Sequence, residues 1–216
     1  MDNNGSSLKE ILILTLITVV SGMLLGFVYN ITKEPIALSN ERARTESEQA
    51  VFSEAGSFEV LSDTDSDAFT AAYQESLDNS GLTGVKLNSI DAAYKDESLG
   101  EKLGYVVDIT DSDGYGGDIE LMVGVTVKDG SYVINGISFL TLTETAGMGM
   151  KAKESPFIDS FSSLPADNMI RYTKTGSTSS EEIDAISGAT ITTSAVVNAV
   201  NAAVCAAKTY EEVMIP

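Results

Sequence analysis

Hydrophobic positions along this chain fall into three patterns. Residues Ile11–Tyr29 (ILILTLITVVSGMLLGFVY) run without a charge or a proline. About 20 such residues at 1.5 Å rise cross a bilayer core, so the run predicts a transmembrane helix. A cleaved signal peptide is the competing reading. The next residues, Asn30-Ile31-Thr32-Lys33-Glu34-Pro35, offer no small-x-small cleavage site, and the run is read as an uncleaved anchor. Gly22 and Gly26 form a G-x-x-x-G step that lets another helix approach closely, or reflect only how common glycine is in membrane helices.

The second pattern is alternation. Ile119, Leu121, Val123, Val125 and Val127 alternate with Glu120, Met122, Gly124, Thr126 and Lys128, the period of a half-buried strand. Asp129-Gly130 then predicts a hairpin turn, with Ser131–Leu142 as the return strand. Gly104–Thr110 predicts a further strand, and Gly114, Gly116 and Gly117 are expected to loosen the link between them. The third pattern is helical. Ser39–Ala55 has helix-forming composition ahead of Gly56, and Ala195–Lys208 carries Val197, Val200, Val204 and Ala207 along one stripe. The expected fold class is α+β: one N-terminal transmembrane helix, then a domain with a twisted, mainly antiparallel sheet and flanking helices on one side. The expected divisions are a tail and anchor at 1–32, a membrane-proximal helix at 33–60 and the main domain at 61–216.

Composition narrows the chemistry. Of 216 residues, 32 are acidic and 13 basic, a net charge of −19, which argues against a nucleic-acid partner. Histidine is absent, which removes Ser-His-Asp and Cys-His catalysis and any His-ligated metal site. The one cysteine, Cys205, sits among alanines and reads as a small buried hydrophobe. Two acidic tracts resemble calcium loops only superficially. From Asp63 the glycine position holds Ala68 and the bidentate-acid position Gln74; from Asp111 the last position holds Met122. Both are expected to be solvated turns, and no metal site is expected. Lys9 precedes the anchor, whereas Lys33, Arg42 and Arg44 follow it, so the positive-inside rule taken alone places the domain in the cytoplasm.

Two motifs carry candidate chemistry. Asp184-Ala185-Ile186-Ser187-Gly188-Ala189-Thr190-Ile191-Thr192-Thr193-Ser194 opens into the last helix, with Thr192, Thr193 and Ser194 as natural N-caps. A small-residue turn before a helix start offers free amides and a favourable dipole to a phosphate. A capped loop ahead of a core helix accounts for the same spacing. Thr143-Glu144-Thr145-Ala146-Gly147-Met148-Gly149 follows the return strand, and its paired glycines suit a sharp turn or the close approach of a flat ligand.

These strings resemble a known family. DAISGATITTSAVVNAV looks like the covalent-flavin signature of the FMN-binding domain, and ETAGMGMK like its companion E-T-P-G-L-G segment, with Ala146 and Met148 where the family usually has proline and leucine. GGDIELMVGVTVKDGSYVINGISFLTLTE matches the family's strand–hairpin–strand layout. The anchor followed by T-K-E-P-I-A and V-F-S-E-A is similar to the G subunit of the Rnf ion-translocating ferredoxin:NAD oxidoreductase complex. The resemblance implies FMN esterified through its phosphate to Thr190 by a flavin transferase, with Asp184 in the transferase's recognition pattern. It also implies cofactor contacts at Ser187, Gly188, Ala189, Glu144, Thr145, Gly147, Met148 and Gly149. The implied partners are the other membrane subunits of an Rnf-type complex, the transferase and membrane lipid. The implied place is the cell membrane, single-pass, with the flavin domain on the extracytoplasmic side, against the charge count. The implied role is an electron-carrying redox subunit of a translocase that turns over no substrate by itself. The alternatives are the C subunit of the Na⁺-translocating NADH:quinone reductase and a noncatalytic single-pass interaction domain.

Overall fold

The computed structural model describes residues 4–215 apart from Glu97 and Asp129, with side chains from Lys9 onward. The chain divides into two units, residues 1–44 and 45–216. Helix α1 runs from Asn4 to Val51 and continues through Pro35, so residues 39–51 of the helix expected at 39–55 are the end of α1, and 52–55 lie beyond it. Its apolar stretch has a mean hydropathy of 2.6 over 18 residues, none of them buried, and is long enough to cross a membrane.

In the second unit, β1 (Ser57–Val60), β2 (Val85–Tyr94), β3 (Lys102–Asp111), β4 (Ile119–Lys128), β5 (Ser131–Leu142) and β6 (Leu164–Pro165) form one antiparallel sheet in chain order. Neighbours in sequence are neighbours in space, so short turns suffice to connect β3, β4 and β5. Lys128 pairs with Ser131, which fits the expected two-residue hairpin, and Gly130 takes a φ of +80°. Asp129, the other half of that turn, lies outside the described residues.

The pleat sorts side chains to two faces. Tyr105, Val107, Ile109, Leu121, Val123 and Val125 point to the main core, where α2 (Asp67–Ser80) and α4 (Thr190–Met214) cover the sheet. Val106, Met122 and Ala93 point to the opposite face and pack on Val51, Phe52 and Ala55. That second cover was not expected. It depends on two glycines: a Cβ on Gly104 would stand 2.9 Å from Cζ of Phe52, and one on Gly124 3.1 Å from its Cε2. The Val51 carbonyl accepts a hydrogen bond from Asn135 Nδ2, and Ser138 Oγ donates to Ser47 Oγ at 3.1 Å.

α4 is buried nearly all round, not only along the Val197, Val200, Val204 and Ala207 stripe. Its alanines let the sheet and α2 approach closely. Long and apolar enough to cross a membrane, it is nonetheless the core helix of the domain, with 78% of its apolar window buried. Asp111 is a second correction. Expected in a solvated turn, it is fully buried, accepting from Asn198 Nδ2 at 2.6 Å and the Asp113 amide at 2.8 Å. Burial raises its carboxyl above the ordinary range, against the lowering effect of those two hydrogen bonds. Two short parallel strands, β7 (Arg171–Thr173) and β8 (Glu182–Asp184), then lead the chain to the start of α4.

Candidate functional site

The loop entering α4 is held at both ends. The Ala185 amide donates to the Thr173 carbonyl at 2.7 Å, and the Ala189 amide closes a turn on the Ile186 carbonyl at 3.0 Å. Gly188 sits inside that turn at φ +79°, a conformation that costs glycine little. Asp184 accepts from the Ser177 amide at 2.5 Å and so braces the preceding loop.

α4 starts at Thr190, five residues earlier than its apolar pattern indicated, with Ala189 as cap residue and no capping side chain. Thr192, Thr193 and Ser194 are therefore not N-caps; they lie within the first turn and a half. The Thr193 hydroxyl is directed backward instead, donating to the Ala189 carbonyl at 2.9 Å. An uncapped start leaves the first-turn amides without a side-chain acceptor, and together with the helix dipole it suits an anion.

The second loop follows β5. The Thr145 carbonyl accepts from the Met148 amide at 3.1 Å and the Met150 amide at 3.2 Å, with Gly147 at φ +73° in the turn. A Cβ on Gly149 would lie 2.7 Å from both Glu144 Oε2 and Thr192 Oγ1, and one on Gly188 3.4 Å from Met148 Cε. The two sequence motifs, about 40 residues apart, thus meet at Gly149–Thr192 and at Met148–Gly188. A third segment joins them. A Cβ on Gly116 would stand 1.9 Å from the Thr143 carbonyl oxygen, so the 114–117 loop is pressed against the strand exit rather than loosened by its glycines.

These segments enclose a pocket of about 450 Å³ lined by Tyr115, Glu144, Thr145, Met148, Gly149, Gly188, Ala189, Thr190, Ile191 and Thr192. The volume lies within the usual range for small-ligand sites. Tyr115 (70% exposed), Ile191 (52%) and Met148 (45%) give it an apolar rim. Thr190 is half-buried at the helix start, whereas Thr192 and Thr193 are 1% and 0% exposed. Of the residues named from the sequence, Ser187 and Gly147 do not line the pocket; each sits in one of the turns that shape it. The sequence reading missed Tyr115, Ile191 and Thr192. A signal existed for Tyr115, which stands between glycines, but its meaning depends on the packing of Gly116.

At the edge of the pocket the carboxylate of Glu144 is buried at both oxygens, with no hydrogen-bond partner for either among the described residues. Apolar rim and uncapped helix start together suit a flat, partly apolar ligand that carries an anionic group.

Residues 114–205, which contain all three segments, match the FMN-binding domain family. The G subunit of the Na(+)-translocating ferredoxin:NAD(+) oxidoreductase complex of Acetobacterium woodii is 31% identical over 191 residues, covering 88% of this chain and 86% of the relative. The G subunit of the ion-translocating oxidoreductase complex of Methanosarcina acetivorans is 30% identical over 206 residues, covering 94% of this chain and 96% of the relative. Among solved structures, the C subunit of the Na(+)-translocating NADH-quinone reductase from Parabacteroides distasonis aligns with a TM-score of 0.47 at 16% identity, over 75% of this chain and 79% of that one. At 30–31% identity over most of both chains, this protein belongs to the family of G subunits of ion-translocating oxidoreductase complexes.

Proposed function

We propose that this chain is the membrane-anchored, electron-carrying flavoprotein subunit of an ion-translocating ferredoxin:NAD oxidoreductase complex. FMN is esterified through its phosphate to Thr190 by a flavin transferase: the Thr190 oxygen bonds to phosphorus as the pyrophosphate bond of a flavin dinucleotide donor breaks, a nucleoside monophosphate leaves, and the hydroxyl proton passes to solvent. The observation that carries the reading is the position of Thr190: first residue of an uncapped helix, half-buried, on the wall of a pocket with an apolar rim.

The residues present fit that group. The start of α4 stabilises a phosphodiester through its amides and dipole. Gly188 and Ala189 keep the approach to the Thr190 hydroxyl open to a modifying enzyme, and the neighbouring hydroxyls of Thr192 and Thr193 are out of reach. Tyr115, Met148 and Ile191 offer apolar surface to a flat ring. Bound FMN supplies reversible electron storage, which no side chain in the pocket provides. The lining holds neither histidine nor cysteine, and its one carboxylate is Glu144. A tethered cofactor held at one place suits transfer between fixed centres better than turnover of a diffusing substrate. α1 spans the cell membrane once in lipid, with the flavin domain on the extracytoplasmic side, and the other membrane subunits of the complex are the partners.

The test is co-expression of the full chain with a flavin transferase, then mass spectrometry and in-gel fluorescence after denaturation. The wild type should carry one covalent FMN, and Thr190→Val none while still folding. Covalent flavin retained in the variant would move the attachment to Thr192 or Thr193. Rapid bleaching of the loaded chain by NADH alone would make it a dehydrogenase rather than a relay.

A further inference from the structure

A buried polar tie joins the loop that carries Tyr115 to the helix that carries Thr190. Asn198 lies about two turns beyond Thr190 on α4. Its Nδ2 has two protons, and each finds an acceptor: Asp111 Oδ2 at 2.6 Å and the Thr83 carbonyl at 2.8 Å. Asp111, the last residue of β3, is fully buried, and its other oxygen accepts from the Asp113 amide at 2.8 Å. The Ser112 amide and hydroxyl both donate to the Gly84 carbonyl at 2.9 Å. The turn before β2, the exit of β3 and α4 are thus fastened around one carboxylate. The space beside the tie is not filled by side chains. A cavity of about 340 Å³ opens there, lined by Thr83, Asp113, Ile191, Ser194, Ala195 and Asn198, and Ile191 also lines the main pocket. Tyr115 follows on the same loop, between this tie and the close contact of Gly116 with the Thr143 carbonyl. Its ring is 70% exposed, so its place on the pocket rim depends on where the loop backbone is held.

We infer that Asp111 and Asn198 are positioning residues for the cofactor: their hydrogen bond sets the span between Tyr115 and Thr190, and thereby seats the Tyr115 ring against the flavin. This rests on the reading of the pocket as a flavin site. Neither residue lines that pocket, so both act through the loop. The carboxylate is specifically required. Each of its oxygens faces an N–H donor, so an amide in its place turns an NH₂ toward one of them and loses that bond, although the shape is kept.

The experiment uses the full-length chain in two forms, transferase-modified and, as Thr190→Val, unflavinylated. Asn198→Ala and the isosteric Asp111→Asn are compared with Asn201→Ala. Asn201 is buried on the same helix but bonds the Ile170 amide at 2.8 Å and carbonyl at 2.9 Å instead. A phenol ring stacked on a flavin quenches its emission by electron transfer. Native flavin emission should therefore brighten in Asn198→Ala and in Asp111→Asn, and stay unchanged in Asn201→Ala. In a Tyr115→Phe background, which lacks the quencher, Asn198→Ala should add nothing. In the unflavinylated form, amide exchange across 112–117 should accelerate about tenfold in Asn198→Ala and in Asp111→Asn, and not in Asn201→Ala. Equal brightening in Asn201→Ala, brightening that persists without Tyr115, or unchanged exchange would overturn the inference. Should Asn198→Ala fail to fold, Asp111→Asn gives the same readouts. Absence of flavin on the modified wild type would sink the flavin reading itself, while the exchange rates still decide whether the pair holds the Tyr115 loop, so the two failures are separable.

Discussion

The amide of Ile186 donates to Oγ1 of Thr193 at 3.1 Å, seven residues ahead of it and inside α4. That bond ties the loop before the helix to the helix itself, and it sets where Gly188, Ala189 and Thr190 stand. Thr193→Val keeps the shape of the side chain but strands the Ile186 amide. The expected cost is about 1–3 kcal/mol in urea unfolding of the domain. Covalent flavin on Thr190 should persist in any folded fraction, since the Thr193 hydroxyl is wholly buried. Undiminished stability would show that the bond is not needed.

The two glycines of the 143–149 loop should respond differently to alanine. Gly149→Ala forces a Cβ to 2.7 Å from both Glu144 Oε2 and Thr192 Oγ1, so the two motifs must separate. It should cost about 1–3 kcal/mol and sharply reduce flavinylation. At Gly147 a Cβ meets nothing within 4 Å, and only the φ of +73° opposes it. Gly147→Ala should cost about 1–2 kcal/mol with flavinylation largely kept. Comparison of melting curves and flavin content separates crowding from backbone strain.

Tyr105, Glu211 and Lys102 form a cluster that makes stability depend on pH. The Tyr105 hydroxyl donates to Glu211 Oε1 at 2.5 Å, and Lys102 Nζ reaches the same oxygen at 2.8 Å. Burial alone would raise the Glu211 carboxyl, but the hydrogen bonds from Lys102 and Tyr105 outweigh it and hold the group below its ordinary 4.5. A depressed carboxyl contributes stability that is present above 4.5 and is lost as pH falls through the folded-state value. Tyr105→Phe should therefore cost about 1.5 kcal/mol or more at pH 7, and the penalty should shrink below pH 4.5. A penalty independent of pH would mean that packing, not the charged hydrogen bond, is what the hydroxyl serves.

Topology can be read with a cysteine probe, because the native Cys205 is buried and gives little background. Ser180 is exposed in the loop before β8. In Ser180→Cys, a membrane-impermeant maleimide added to intact cells or right-side-out vesicles should label the chain, as an extracytoplasmic domain requires. Labelling confined to inverted vesicles would reverse the orientation.

Local features of this protein were legible because their causes are local. The apolar run at 11–29 needs no partner to be read as a membrane-length helix. β4 and β5 announce themselves by alternation, and the glycine-containing turn between them follows. The Thr190 motif and the Glu144 motif were both visible as strings. β2 was not. Its register shifts between Leu87 and Ser89, which breaks the two-residue period and places Leu87 and Ile90 toward the same core.

The rest was decided only by tertiary contact. The start of α4 moved from Ala195 back to Thr190 because Thr193 bonds to the loop behind it, not because the segment is apolar. Asp111 is buried because Asn198, 87 residues away, receives it. Tyr115 joins the pocket because Gly116 lets its loop press on the Thr143 carbonyl. That Glu144 and Thr190 share one pocket follows from the close contact of Gly149 with Thr192. Sequence order by itself determined which segments are helical, extended or membrane-length, because backbone preference and hydrophobic period act within a few residues. Which segments touch depends on side-chain shape and on the absence of a Cβ at particular positions, and those act only once the sheet has brought distant residues together.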